Sequence, residues 1–164
     1  MVDTPSSCNR LFLVLGDQLD YERFLPADFD PQSDLFWMAE ASEESTHVRS
    51  NKHRIVCFLA AMRHFRNHLQ NKKIPLLYHE LSAGESTLSQ LLVQDLTKLK
   101  PELVSVVKPG DYRVENALRD TVEESGAQWE VREDEHFLCS QAEFAEHAEG
   151  RKSCLLYTSP SPRD

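Results

Sequence analysis

Leu11-Phe-Leu-Val-Leu15, closed by Gly16-Asp17-Gln18-Leu19, decides the fold. Five consecutive apolar side chains leave no polar face, so the run suits a strand covered on both sides, as in a parallel sheet. The glycine and the polar pair behind it end the strand in a tight loop. Three further apolar runs follow: Leu35-Phe-Trp-Met-Ala39, Ile74-Pro-Leu-Leu-Tyr78 and Leu103-Val-Ser-Val-Val107. Gln128-Trp-Glu-Val-Arg132 is a weaker, alternating fifth. Pro75 lacks an N–H and belongs near the start of its strand.

Helical periodicity fills the intervals. Val48, Ile55, Phe58, Leu59, Met62, Phe65 and Leu69 recur at spacings that build one apolar stripe. Leu88, Leu91, Leu92, Leu96 and Leu99 repeat the pattern. Tyr112 to Glu124 forms a third helix, with Val114, Leu118 and Val122 inward, Asp111 as N-cap and Ser125-Gly126 as the stop. Ser140 to Ala148 reads as a short last helix. Strands alternating with helices imply right-handed crossovers on a parallel sheet. The expected fold is therefore α/β, a single doubly wound, mainly parallel five-stranded sheet in the order 3-2-1-4-5.

Composition fits that reading: 40% hydrophobic and 27% charged residues in 164, with a formal net charge of −9. The negative charge opposes nonspecific attraction to nucleic acid. No apolar run approaches the ~20 residues that span a bilayer, and the first ten residues lack the pattern of a signal peptide. A cytoplasmic protein with no membrane association is expected. The cysteines at 8, 57, 139 and 154 form no CxxC pair, so isolated reduced thiols are expected and no metal site is assigned.

In a doubly wound sheet, ligands bind beyond the carboxyl ends of the strands, where strand order reverses. The loops after the first and fourth strands, Gly16-Asp17-Gln18-Leu19 and Pro109-Gly110-Asp111, meet there in the expected order. Glu40 follows the second strand at the same end. Three carboxylates at one edge favour a polyol or a ring N–H over a phosphate. Each feature also has a plainer explanation. Gly16-Asp17 serves equally as a tight turn and helix cap, and Glu40 as a solvated carboxylate. Neither GxGxxG nor GxxxxGK[ST] is present. His64 and His68 share a helix face without a third ligand and read as surface histidines. Arg49, Lys52, His53, Arg54, Arg63, Arg66, Lys72 and Lys73 read as a solvated basic face. No spacing suggests a catalytic constellation.

The eleven residues Cys154-Leu-Leu-Tyr-Thr-Ser-Pro-Ser-Pro-Arg-Asp164 equal one reading frame of a transposase-type sequencing adapter. They are expected to be foreign, leaving residues 1–9 as a flexible lead-in and 10–153 as the native domain.

Taken together, Leu13-Val-Leu-Gly-Asp-Gln-Leu19, Met38-Ala-Glu-Ala-Ser42, Ala61-Met-Arg-His-Phe65, Pro109-Gly-Asp-Tyr-Arg-Val114 and Gly150-Arg-Lys-Ser153 resemble the bacterial photolyase-related family, the iron–sulfur branch of the cryptochrome/photolyase proteins. The likeness extends over almost all of residues 9–153. It implies a Rossmann-like N-terminal domain that holds an antenna pigment, typically 6,7-dimethyl-8-ribityllumazine. By the same resemblance, the pigment pocket would use Gly16, Asp17, Gln18, Leu19, Glu40, Phe58, Pro109, Gly110 and Asp111. Asp17 and Glu40 would hydrogen-bond the pigment, and Phe58 would form an apolar wall. The resemblance further implies a C-terminal helical domain, absent from this chain, that carries FAD, a four-iron cluster and the damaged DNA. The intact protein would be monomeric and would repair a pyrimidine photoproduct, usually of the (6-4) type, with blue light. The fragment alone would be inactive. Two other readings remain open: a stand-alone binding or light-signalling module without catalysis, and a small α/β enzyme cut short.

Overall fold

The structure, a computed structural model, describes residues 7–41, 51–81, 87–135 and 139–150. Its framework is a five-stranded sheet with every pairing parallel. The strands are β1 (Arg10–Leu13), β2 (Asp34–Ala39), β3 (Leu76–His79), β4 (Leu103–Val107) and β5 (Gln128–Arg132), in the spatial order β3-β2-β1-β4-β5. This is the doubly wound order expected from the sequence. The helices of the unit are α1 (Lys52–Asn71), α2 (Leu88–Leu99) and α3 (Tyr112–Ser125). Val48 and Arg49, expected to belong with the first helix, lie outside the described residues.

Successive side chains of a strand point to opposite faces, and the two faces of β1 and β2 have separate cores. Leu11, Leu13, Leu35, Trp37 and Ala39 pack with Val104 and Val106 against Leu88, Leu92, Leu96, Leu99, Leu118 and Val122 of α2 and α3. Phe12, Val14, Phe36 and Met38 pack on the other face with Phe24 and with Met62, Phe65 and Leu69 of α1. Burying a Leu or Phe side chain stabilises the fold by about 1.5–3 kcal/mol, and the central strands hold a continuous double row of them. Aromatic rings dominate the second core: Phe24 meets Phe65 edge to face at 5.4 Å, and Phe12 lies 5.5 Å from Phe36.

The ends of the elements follow local chemistry. Asn51, Thr87 and Asp111 accept backbone N–H bonds as N-caps of α1, α2 and α3. Thr87 and Gln90 complete a reciprocal capping box. Gly126 ends α3 at φ 84°, a conformation that glycine adopts without a Cβ penalty. β3 begins two residues later than the apolar run at Ile74, because the Ile74 N–H still belongs to the helix end, bonded to Leu69 O, and Pro75 has none to offer.

The lead-in expected to be flexible at 1–9 is tied down at its end. Cys8 is buried and its N–H donates to Leu99 O, while Asn9 donates to Ser33 O and accepts from Glu102 and Leu103. The chain divides into two compact units, Met1–Arg132 and Glu133–Asp164. In the second, α4 (Gln141–Ala148) starts at a Ser140–Glu143 capping box. The segment 154–164, expected to be foreign, lies outside the described residues.

Candidate functional site

Parallel pairing of β1 with β4 brings the loops that follow them to one end of the sheet. A single side chain joins them. Gln18 is buried at 7% exposure, and its Nε2 donates to Val107 O and to Lys108 O, each at 3.0 Å. Both donors of the amide are thereby used, while Oε1 is buried without a hydrogen-bond partner. Asp17 is exposed beside the second loop; a Cβ added to Gly110 would meet only Asp17 Oδ2, at 3.7 Å. Backbone at Gly110 is therefore open to a ligand, with one carboxylate alongside. Pro109 is buried, and Leu19 packs on the aromatic core.

Gly16 is different. A Cβ built there would run into the Phe58 ring, 2.7 Å from Cε1, and would stand 2.9 Å from Met62 Sδ. The space that the missing side chain leaves at the β1 loop is filled by the protein itself. Phe58, expected as a wall beside a ligand, lies against the glycine. With the ring there, the backbone at Gly16 is covered while that at Gly110 is open.

Glu40 is neither solvated nor available. Its side chain is fully buried, and its carboxylate accepts four hydrogen bonds: from Arg63 Nε at 2.7 Å and Nη2 at 2.8 Å, Tyr78 OH at 2.5 Å and the Leu81 N–H at 2.9 Å. Burial alone would raise its pKa, but the Arg63 fork, the Tyr78 hydroxyl and the Leu81 amide outweigh it and hold the carboxyl at about 2. The same contact and its own burial push the Tyr78 phenol well above its usual range. Asp111 is likewise occupied, capping α3 at the Arg113 N–H and pairing with the Arg113 guanidinium at 2.6 Å. Of the three carboxylates expected at the edge, Glu40 and Asp111 are engaged by protein donors, whereas Asp17 is exposed.

Arg63 is exposed, as its sequence suggests, yet it also reaches over the sheet end to Glu40, and Arg66 pairs with Glu80 while lying over the Tyr78 ring. His68 is not a surface histidine either. Its ring is 4.9 Å from Tyr21 and 6.2 Å from Phe24, and Nε2 is buried without a partner. His64 is exposed as expected. Sequence reasoning missed Arg63, Tyr78 and Met62 as builders of the site. A carboxylate directly behind a fully buried strand, as Glu40 is behind β2, was the available signal that a cation must come to meet it.

On the opposite face, the Trp37 indole N–H donates to Asp95 at 2.8 Å and His79 Nε2 approaches the same oxygen at 2.5 Å. Burial would raise the Asp95 pKa, but these two partners lower it below the usual aspartate range. Among the described residues no group of three or more His, Cys, Asp or Glu is placed to hold a metal ion, and no helix is long and apolar enough to cross a membrane.

Residues 12–158 match the family described as deoxyribodipyrimidine photo-lyase-related protein. The chain belongs to this family. A (6-4) photolyase of Agrobacterium fabrum (strain C58) is similar at 30% identity over 153 residues, which is 90% of this chain but 30% of the relative. The photolyase-related chain thus spans under a third of that relative's length. The family match runs past the boundary expected at Ser153, into residues outside those described.

Proposed function

We propose that this chain is the N-terminal α/β domain of a (6-4)-type, light-driven DNA photolyase, and that its own role is to seat an antenna pigment where β1 and β4 diverge. The observation that carries the reading is the Gln18 tie, which holds two glycine-bearing loops together beyond the carboxyl ends of neighbouring parallel strands. Asp17 and the open backbone at Gly110 suit the polar edge of a ring with a polyhydroxyl chain. The family match and the similar (6-4) photolyase support the class of the whole protein.

A bound ribityllumazine would supply light absorption and energy transfer. What the residues of this chain do is orient and shield. Gln18 keeps the loops at fixed separation, and Asp17 offers acceptors at the rim. The Glu40–Arg63–Tyr78 cluster locks the adjoining strand ends. Flavin, the iron–sulfur cluster and lesion contacts are assigned to the part of a longer protein beyond this chain, as is any repair chemistry.

The test uses the full-length gene product on an oligonucleotide with one (6-4) photoproduct under blue light. Light-dependent reversal by the full-length protein and none by the 164-residue chain is expected. Reversal by the short chain, or none by a flavin-loaded full-length protein, overturns the assignment.

A further inference from the structure

We infer that Phe58 is a plug: its ring occupies the contact surface at Gly16, and a planar ligand reaches that surface only when the ring swings out. This rests on the reading of the β1–β4 crevice as the ligand site, and it concerns what regulates access to it.

Gly16 and Gly110 stand in the two loops that Gln18 ties together, yet their surroundings are opposite. Beside Gly110 the nearest atom to an added Cβ is Asp17 Oδ2, at an ordinary contact distance of 3.7 Å. Beside Gly16 the same construction collides with the Phe58 ring edge and with Met62 Sδ. A carbon ring pressed against glycine backbone makes the contact a flat heterocycle would make, so ring and ligand compete for one place. Phe58 is free to yield. It is only partly buried, at the margin of the aromatic core, whereas Met62 and Phe65 on the same helix are fully enclosed. Rotation about its side-chain bonds requires no movement of α1. The buried Gln18 Oε1, without a partner, lies in the same loop and awaits a donor.

A plugged site lowers apparent affinity by the fraction of time it stands open. With the ring out for about a tenth of the time, removing the ring raises affinity about tenfold.

Two measurements on the 164-residue chain test this separately. The first is a ligand-free cycle of thermal midpoints for wild type, Gly16→Ala, Phe58→Ala and the double variant. Gly16→Ala alone should lose about 4 °C. In the Phe58→Ala background the loss should fall to about 1 °C, since the space the ring vacates takes the new methyl and lets the enclosed Met62 thioether shift. Equal losses in both backgrounds overturn the plug. The second is a fluorescence-anisotropy titration with 6,7-dimethyl-8-ribityllumazine. Phe58→Ala should bind about ten times more tightly than wild type. Equal binding overturns the plug; weaker binding by Phe58→Ala makes the ring a stacking wall and overturns it too. If the cycle shows coupling while neither protein binds the pigment, the plug stands and the pigment assignment falls.

Discussion

Glu40 accepts four hydrogen bonds, and its chemistry is the opposite of what its position beside a crevice suggests. Four donors converge on it, so replacing it with glutamine turns one acceptor oxygen into an NH2 facing donors. Glu40→Gln should cost about 2–3 kcal/mol in urea unfolding, below the upper range for breaking a buried pair because Arg63 is 44% exposed. A loss under about 0.5 kcal/mol would contradict the clamp. The pH dependence has a definite sign. The folded carboxyl titrates near 2, below the ordinary 4.5, so its contribution is fully present above the ordinary value and is lost as pH falls towards 2. Between pH 5 and 2 the wild type should therefore lose more stability than Glu40→Gln, measured by urea midpoints at each pH. Glu40 was legible as a residue at the sheet's carboxyl end; its partner was not. Arg63 lies five residues beyond Phe58 on the same helix and looks, in sequence, like any solvated cation. Only the placing of α1 beside the end of β2 brings its guanidinium to Glu40.

At the scale of elements, local chemistry was readable and long-range contact was not. β4 and β5 begin and end where their apolar runs do. Asp111 and Gly126 bound α3 as their residue types require. β1 departs from its run: the ladder stops at Leu13, although Val14 and Leu15 remain buried. Hydrophobicity reports burial, whereas the ladder reports a neighbour in register, and the chain starts to turn before the apolar residues run out. Asp111 was read both as a cap and as a ligand contact. Its bonds to the Arg113 N–H and guanidinium favour the first, so Asp111→Ala should destabilise the protein by about 1 kcal/mol in chemical unfolding. Asp111→Asn, which retains a capping oxygen, should lose less than half of that.

For the molecule as a whole, charge and reach limit what this chain does alone. At −9 it lacks the electrostatic attraction that dominates nonspecific binding to phosphate backbones. In a mobility-shift assay near 150 mM salt, the 164-residue chain should leave duplex DNA unshifted at 10 μM, with or without a photolesion. A clear shift would mean that this region contributes to DNA contact directly. The fold class was legible because a doubly wound sheet writes itself into alternating apolar runs and helical stripes. The plugged state of the crevice was not, because it depends on where one ring lands against a glycine from which α1 is separated by the whole of β2.

The order β3-β2-β1-β4-β5 also governs how the chain is made. β1 sits at the centre, yet one of its two neighbours, β4, is synthesised some ninety residues after it. Until Leu103–Val107 leaves the ribosome, the first strand has an unoccupied edge of backbone donors and acceptors flanked by Leu11 and Leu13, the kind of edge that templates intermolecular pairing. Nascent chains arrested before Leu103 should consequently need chaperones, and those released after β4 should not.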